Sequence, residues 1–283
     1  MTMPALGRYH RLELLRITDS GAVLAAGDGE ILLPGAQIPD GAKPGDMLEV
    51  FLYLDSADRP IATTRHPKAM VGEFALLEVK DISKVGAFLD WGLDKDLLVP
   101  FAEQPVRMRK RERHIVRLYL DNTGRIAASA KLDSILEMTN TDLAEGEAVE
   151  LMIYAFTDLG AKVIINNRYS GLLFKNELYG KPELGQRLTG YVKRIRDDRK
   201  IDVALRQGGA QEANADRDRL LQALKEGGGF LPLTDKSDPD AVSGLLRMSK
   251  KSFKKAVGGL YKEGLITMTD TGIALKKQQR ERG

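Results

Sequence analysis

Cysteine is missing from all 283 residues, which excludes disulfides and thiolate metal sites and favours a reducing, cytoplasmic setting. Histidine is nearly missing: His10, His66 and His114 are the whole set, and a protein without a metal is expected. No stretch approaches the roughly 20 consecutive apolar residues that a membrane span needs. The segment Met1 to Gly7 shows no basic region followed by an apolar core, so no secretory leader is read there. A soluble internal protein with no membrane partner is expected. Catalytic constellations are missing as well: no Walker-type phosphate loop, no His or Cys nucleophile arrangement and no spaced Asp cluster. The pair Asp197-Asp198 reads as a solvated turn. The expectation is therefore a chain that is not an enzyme, with no cofactor and no small-molecule substrate.

What the chain does have is repetition. A Gly-Ala pair flanked by apolar residues occurs at Gly21-Ala22, Gly86-Ala87 and Gly160-Ala161. Each pair follows an alternating apolar run (Tyr9 to Ile17, Phe74 to Ile82, Val149 to Phe156) and precedes a short apolar segment. The quartet Leu52-Tyr53-Leu54-Asp55 returns as Leu118-Tyr119-Leu120-Asp121, and closing strands appear at Ile61 to Thr64, Ile126 to Ser129 and Ile201 to Leu205. Short segments of period two, recurring at this interval, predict three copies of one small all-β unit. The expected boundaries are 1–66, 67–138 and 139–208.

Beyond Gln207 to Asn214, a polar Gly-rich linker, the apolar period changes from 2 to 3.6. One helix is expected over Asp216 to Lys225, stopped by Gly227-Gly228-Gly229. A second begins at Ser237-Asp238-Pro239, with proline at its first turn, and runs to about Leu246. A third runs from Ser249 to about Glu263 and buries Phe253, Val257 and Leu260. A hairpin over Leu265 to Leu275 closes a domain expected at 215–277. The pair Gly258-Gly259 inside the third helix predicts a close packing contact, because glycine there costs roughly 1 kcal/mol relative to alanine.

Overall net charge is only +3, but its placement is uneven. Residues 1–66 are net acidic and 209–283 are the most basic segment. Five cations lie within seven residues at Arg107, Arg109, Lys110, Arg111 and Arg113. Such a run is stable either as a solvated loop or against an anionic partner. Phe88 and Trp91 look exposed in the same unit. In the third unit Phe174-Lys175 sets a ring beside a cation, and Lys193, Arg194 and Arg196 follow on a later strand. A ring and a cation on one sheet face suit a stacked base and its phosphate, although Phe174 could equally fill the barrel. The third C-terminal helix shows Lys250, Lys251, Lys254 and Lys255, as a solvated face or as phosphate contacts. Lysine supplies point charge rather than a base-discriminating fork.

Gly86 to Leu89, Gly171 to Leu178 and Lys200 to Arg206 are similar to the RNA-binding OB-fold domain named for the first small-subunit ribosomal protein, the S-one domain. The resemblance is closer in the second and third units than in the first. It implies five-stranded barrels whose second and third strands face single-stranded nucleic acid. It also implies a stacking platform, of which Phe88 fills one slot and Phe174 the other, while Lys162 and Val99 stand where further rings are expected. Met248 to Ala256 followed by Leu260 to Ile266 is similar to the recognition helix and wing of winged helix-turn-helix domains. Three such barrels followed by a winged helix resemble the bacterial conserved virulence factor B family of RNA-binding regulators. That resemblance implies single-stranded RNA as the partner, bound with low sequence specificity through the barrels and winged helix together, and a role in regulating gene expression, including virulence factors. Duplex DNA and the ribosome are further candidate partners. The rival is a DNA-binding transcriptional regulator, against which the wing speaks: Thr267 to Ile273 carries no cation.

Overall fold

Alternating apolar residues become antiparallel strands when one face can be buried, and here they do so three times. The computed structural model describes residues 3–137, 141–178, 181–207 and 210–276. The chain divides into two compact units, Met1–Ile135 and Leu136–Gly283. The first unit holds β1 (Tyr9–Thr18), β2 (Gly21–Ala26), β3 (Gly29–Pro34), β4 (Met47–Leu54) and β5 (Pro60–Thr63), then β6 (Phe74–Ile82), β7 (Gly86–Asp90), β8 (Leu97–Pro100), β9 (Arg113–Leu120), β10 (Ile126–Ser129) and α1 (Leu132–Ile135). These ten strands form two closed barrels, β1-β2-β3-β5-β4 and β10-β8-β7-β6-β9. In the second unit β11 (Ala148–Phe156), β12 (Gly160–Ile165), β13 (Tyr169–Phe174), β14 (Arg187–Ile195) and β15 (Ile201–Ala204) close a third barrel of the same order as the first. Three five-stranded barrels and a C-terminal helical domain make the protein mainly β, as the sequence predicts.

The repeated Gly-Ala pair has a steric cause. A Cβ built at Gly21, Gly86 or Gly160 would lie less than 3.0 Å from the carbonyl oxygen of Leu33, Val99 or Leu173 on the neighbouring third strand. The alanine that follows each glycine is fully buried in its barrel. The first strand of every barrel also carries a register shift, between Leu14 and Arg16, Val79 and Asp81, and Ile153 and Ala155. Such bulges tighten the twist that barrel closure needs.

The two barrels of the first unit share a hydrophobic cluster, in which Phe51 and Tyr53 of the first meet Leu89 and Trp91 of the second. Phe51 and Trp91 pack edge to face with ring centroids 5.8 Å apart. The acidic first barrel thus serves as a packing partner of the second.

The last domain contains α2 (Ala210–Glu226), β16 (Phe230–Leu231), α3 (Pro239–Leu246), α4 (Lys250–Lys262), β17 (Ile266–Met268) and β18 (Ile273–Leu275), with β16 joining the wing hairpin in the order β16-β18-β17. Asp238 caps α3 by accepting the Asp240 N–H at 2.7 Å, and Pro239 occupies the first turn. Two expectations need correction here. The first helix begins at Ala210 rather than Asp216, so most of the expected linker is helical. Ala210, Gln211, Glu212 and Ala213 are strong helix formers, and polar composition is a weaker signal than their propensity. The glycine pair in α4 has no close contact to explain it: nothing lies within 4 Å of a Cβ at Gly258, and only the Arg217 side chain approaches Gly259.

Candidate nucleic-acid interface

In the third barrel the register pairs Lys162 with Leu172 and Gly160 with Phe174. Period two then sets Lys162, Leu172 and Phe174 on the face opposite the core residues Ala161, Val163 and Leu173. Phe174 is half-buried on that face. The Arg196 guanidinium lies 5.6 Å from the Phe174 ring centroid, held there by two hydrogen bonds donated to Asp202, at 2.9 and 2.6 Å. A second ring and cation stand beside them. The Lys162 ammonium is 5.5 Å from the ring of Tyr154, whose hydroxyl meets Ser170 Oγ at 3.0 Å. Tyr154 thus sets a ring beside Lys162, which stands where the second strand was expected to carry one. Sequence reasoning missed it because Tyr154 sits in the bulge of β11, where strict alternation fails.

The remaining basic residues of this barrel differ in availability. Lys193 is neutralised by Glu177 at 2.5 Å. Lys175 and Arg194 are exposed and make no ion pair among the described residues. The end of β11 and the loop before β12 add two apolar side chains that the sequence reading did not select, Phe156 (48 % exposed) and Leu159 (63 %). The Lys175 N–H donates to the Leu159 carbonyl at 3.0 Å, so this apolar tip lies next to the Phe174-Lys175 step.

The second barrel corrects one expectation. Trp91 is 2 % exposed, packed against Phe51 and Tyr53 of the first barrel, and its indole N–H donates to the Lys95 carbonyl at 2.6 Å. A ring held this way is an inter-barrel anchor and has no face to offer a base. Its exposure depends on a neighbouring barrel, which local sequence does not record. Phe88 is paired with Leu98 on the outward side of β7, half-buried beside a cleft.

The basic loop between β8 and β9 is anchored rather than free. Met108 is buried in the core cluster, and Glu112 accepts the Arg109 N–H at 2.9 Å. The Arg107 guanidinium stacks 3.7 Å above the Phe101 ring. Lys110 pairs with Asp81 at 2.7 Å, and that hydrogen bond holds the Asp81 carboxyl below its usual range. Arg109, Arg111 and Arg113 are exposed and make no ion pair among the described residues.

In the winged domain Ser249 caps α4 by accepting the Ser252 N–H at 3.0 Å. The helix buries Phe253, Ala256, Val257 and Leu260. Lys251, Lys254 and Lys255 are exposed and Lys250 half-exposed, and none of the four makes an ion pair among the described residues. The domain is tied to the end of the third barrel by Arg206, which donates to buried Asp216 at 2.7 Å and to the Arg247 carbonyl. Among the described residues no group of three or more His, Asp or Glu could hold a metal ion, and no helix is long and apolar enough to cross a membrane.

Two family models match parts of this architecture, its first barrel and its C-terminal domain. Residues 6–65 match the S1 domain and residues 218–275 the CvfB-like winged helix domain. The S1 match falls on the first barrel, the copy with the least complete motif. An uncharacterized protein, YitL, from Bacillus subtilis (strain 168) is 29% identical, covering 92% of this chain and 90% of its own. The conserved virulence factor B proteins of Staphylococcus epidermidis (strain ATCC 12228 / FDA PCI 1200) and Staphylococcus aureus (strain USA300) are 25% and 24% identical, each covering 96% of this chain and 95% of the relative. A crystal structure of a multidomain protein with nucleic acid binding domains from Streptococcus pneumoniae TIGR4 is 25% identical over 96% of this chain and 98% of that chain, with a TM-score of 0.43. The matched domains are nucleic-acid-binding domains.

Proposed function

Starting from a chain that is a homologue of the conserved virulence factor B proteins over nearly its whole length, we propose that it is a non-catalytic regulator that binds single-stranded RNA. The observation that carries this reading is the outward face of the third barrel, where Tyr154 with Lys162 and Phe174 with Arg196 set two rings beside two cations. A ring offers a π face to any base and an adjacent cation meets the phosphate, so affinity does not require a particular sequence. The Asp202 clamp fixes the Arg196 guanidinium in advance, which lowers the entropy lost on binding. In this reading Phe88 and the cations of the second-barrel loop form a contact surface of the first unit, Lys175 and Arg194 add cations to the third barrel, where Lys193 is held by Glu177, and the lysines of α4 add sequence-independent phosphate contacts. A role in controlling gene expression, virulence factors included, a cytoplasmic location and the ribosome as a partner belong to the proposal as well.

Fluorescence anisotropy of the intact protein with single-stranded RNA, single-stranded DNA and duplex DNA at two salt concentrations tests it. Tyr154→Ala and Phe174→Ala are each expected to weaken RNA binding roughly tenfold, as one lost stack of about 1.4 kcal/mol implies, with the melting temperature unchanged. Unaltered affinity, or loss of folding in place of binding, would return these rings to a structural role. The competing reading, a DNA-binding transcriptional regulator, is favoured by the four lysines of α4 that make no ion pair among the described residues, where major-groove readers place their contacts. Preference for duplex DNA over RNA in the same assay would establish it.

A further inference from the structure

The cleft beside Phe88 is chemically unlike the rest of the basic surface. It has a volume of about 280 Å3, lies within the first compact unit, and is lined by the rings of Tyr53, Phe88 and Trp91, by Leu98, and by the carboxylates of Asp96 and Asp121. Its size is below that of a site for a drug-sized ligand and suits one flat heterocycle. The cations that also line it are already engaged: Asp58, likewise in the lining, holds Lys95 at 3.1 Å and Arg125 at 2.6 Å, and Lys95 also donates to the Asp55 carbonyl. A phosphate entering here would meet carboxylates with their counter-charges spent. The occupant that fits is a neutral ring that stacks beside Phe88, the half-buried ring of the lining, and presents hydrogen-bond donors to Asp96 and Asp121.

Asp96 and Asp121 each use a single carboxylate oxygen in the contacts they make. Asp96 Oδ1 accepts from Lys80 at 2.8 Å. Asp121 Oδ1 takes the Thr123 N–H, the Thr123 hydroxyl and the Arg125 N–H. Neither Oδ2 has a hydrogen-bond partner among the described residues. The bonds on Asp121, that of the Thr123 hydroxyl above all, hold its pKa below the usual value, so it remains an acceptor-only anion at neutral pH. Among the four bases only guanine carries two adjacent donors, N1–H and the N2 amine, on the edge that a single strand leaves unpaired. Adenine and cytosine each set a lone pair beside their amine, and uracil flanks its one N–H with carbonyl oxygens, so a carboxylate facing those edges is repelled.

We propose that this inter-barrel cleft reads one guanine of a bound single strand, stacking it beside Phe88 and accepting its edge donors on Asp96 and Asp121. The inference rests on the RNA-binding reading above and adds a base preference at one position of an otherwise sequence-tolerant surface.

The test is fluorescence anisotropy of the full chain with three labelled single-stranded RNA octamers: all uridine, uridine with one central guanosine, and the same with inosine, which lacks the N2 amine. The guanosine octamer is expected to bind roughly tenfold tighter than the uridine octamer, with inosine between them, the gain of one matched pair of base contacts. Asp96→Asn and Asp121→Asn are expected to remove most of that preference while leaving affinity for the uridine octamer unchanged. Asparagine keeps the Oδ1 acceptor, so the turn at Asp121 survives, and each variant's melting curve verifies folding. Equal binding of the three octamers overturns the guanine inference and leaves RNA binding intact, as does a guanosine preference that persists in both asparagine variants. Failure to bind any of the three overturns both readings.

Discussion

Asp55 and Asp121 end the quartet that the first two barrels share, and their contacts explain why it recurs. Asp55 Oδ1 accepts the N–H groups of Ala57 at 2.8 Å and Arg59 at 3.0 Å; Asp121 Oδ1 does the same for Thr123 and Arg125. Each carboxylate closes the turn between its barrel's last two strands. The Arg59 N–H and guanidinium, with the Ala57 N–H, bring the Asp55 pKa down from 3.8 to about 2. A carboxyl that binds its proton more weakly when folded contributes stability above its unfolded pKa and loses it as pH falls through the folded one. Asp55→Asn, which keeps the acceptor but not the charge, is expected to melt below the wild type at neutral pH and to converge with it as pH falls from about 4 to about 2. Thermal melting followed by circular dichroism checks this, and a gap that stays constant over that range would refute it. Chain-local patterning made the aspartates visible; their bonds became visible only with the turn.

At the scale of the element, the Gly-Ala pair shows a repeat whose cause is a strand crossing. The glycine lets the second strand pass the carbonyl of the third at a distance no side chain tolerates, and the alanine fills the core directly behind it. Gly86→Ala forces the backbone of β7 away from Val99 and is expected to cost about 1–3 kcal/mol, the usual range for overpacking. Trp91 is the one tryptophan of the chain and lies in the first unit, so the transition followed by its fluorescence should fall by several degrees. A Gly86→Ala protein that melts as the wild type does would show that this approach is not needed. Strands and glycines were readable because both follow fixed local spacings. The ring of Tyr154 was not, because a bulge shifts the alternation by one residue and changes which side chain faces outward.

For the whole molecule, the small net charge of +3 conceals cations of two kinds. Lys110, Lys193 and Arg196 are paired with carboxylates, whereas Arg109, Arg111 and Arg113 make no ion pair among the described residues. Unpaired cations are the ones whose phosphate contacts release counterions without first breaking an internal pair. Replacing Arg109, Arg111 and Arg113 together by Gln is expected to lower the slope of log affinity against log salt for single-stranded RNA by roughly 2, at about 0.7 per contact. Lys110→Gln should change it less. Titrations at four or more salt concentrations measure the slope, and an unchanged value in the triple variant would remove this loop from the interface.

The sequence by itself determined three barrels and a winged helix, since strand alternation, helix period, caps and the Gly-Ala spacing are all written within a few residues of one another. It also determined that the chain has no thiol to coordinate or oxidise. Only the tertiary structure decided which rings are available: Trp91 is covered by Phe51 and Tyr53, Tyr154 emerges beside Lys162, and Asp96 and Asp121 come to wall a cleft with Phe88. Exposure and pairing depend on residues distant in the chain that arrive at the same face, and no local pattern specifies which neighbour arrives.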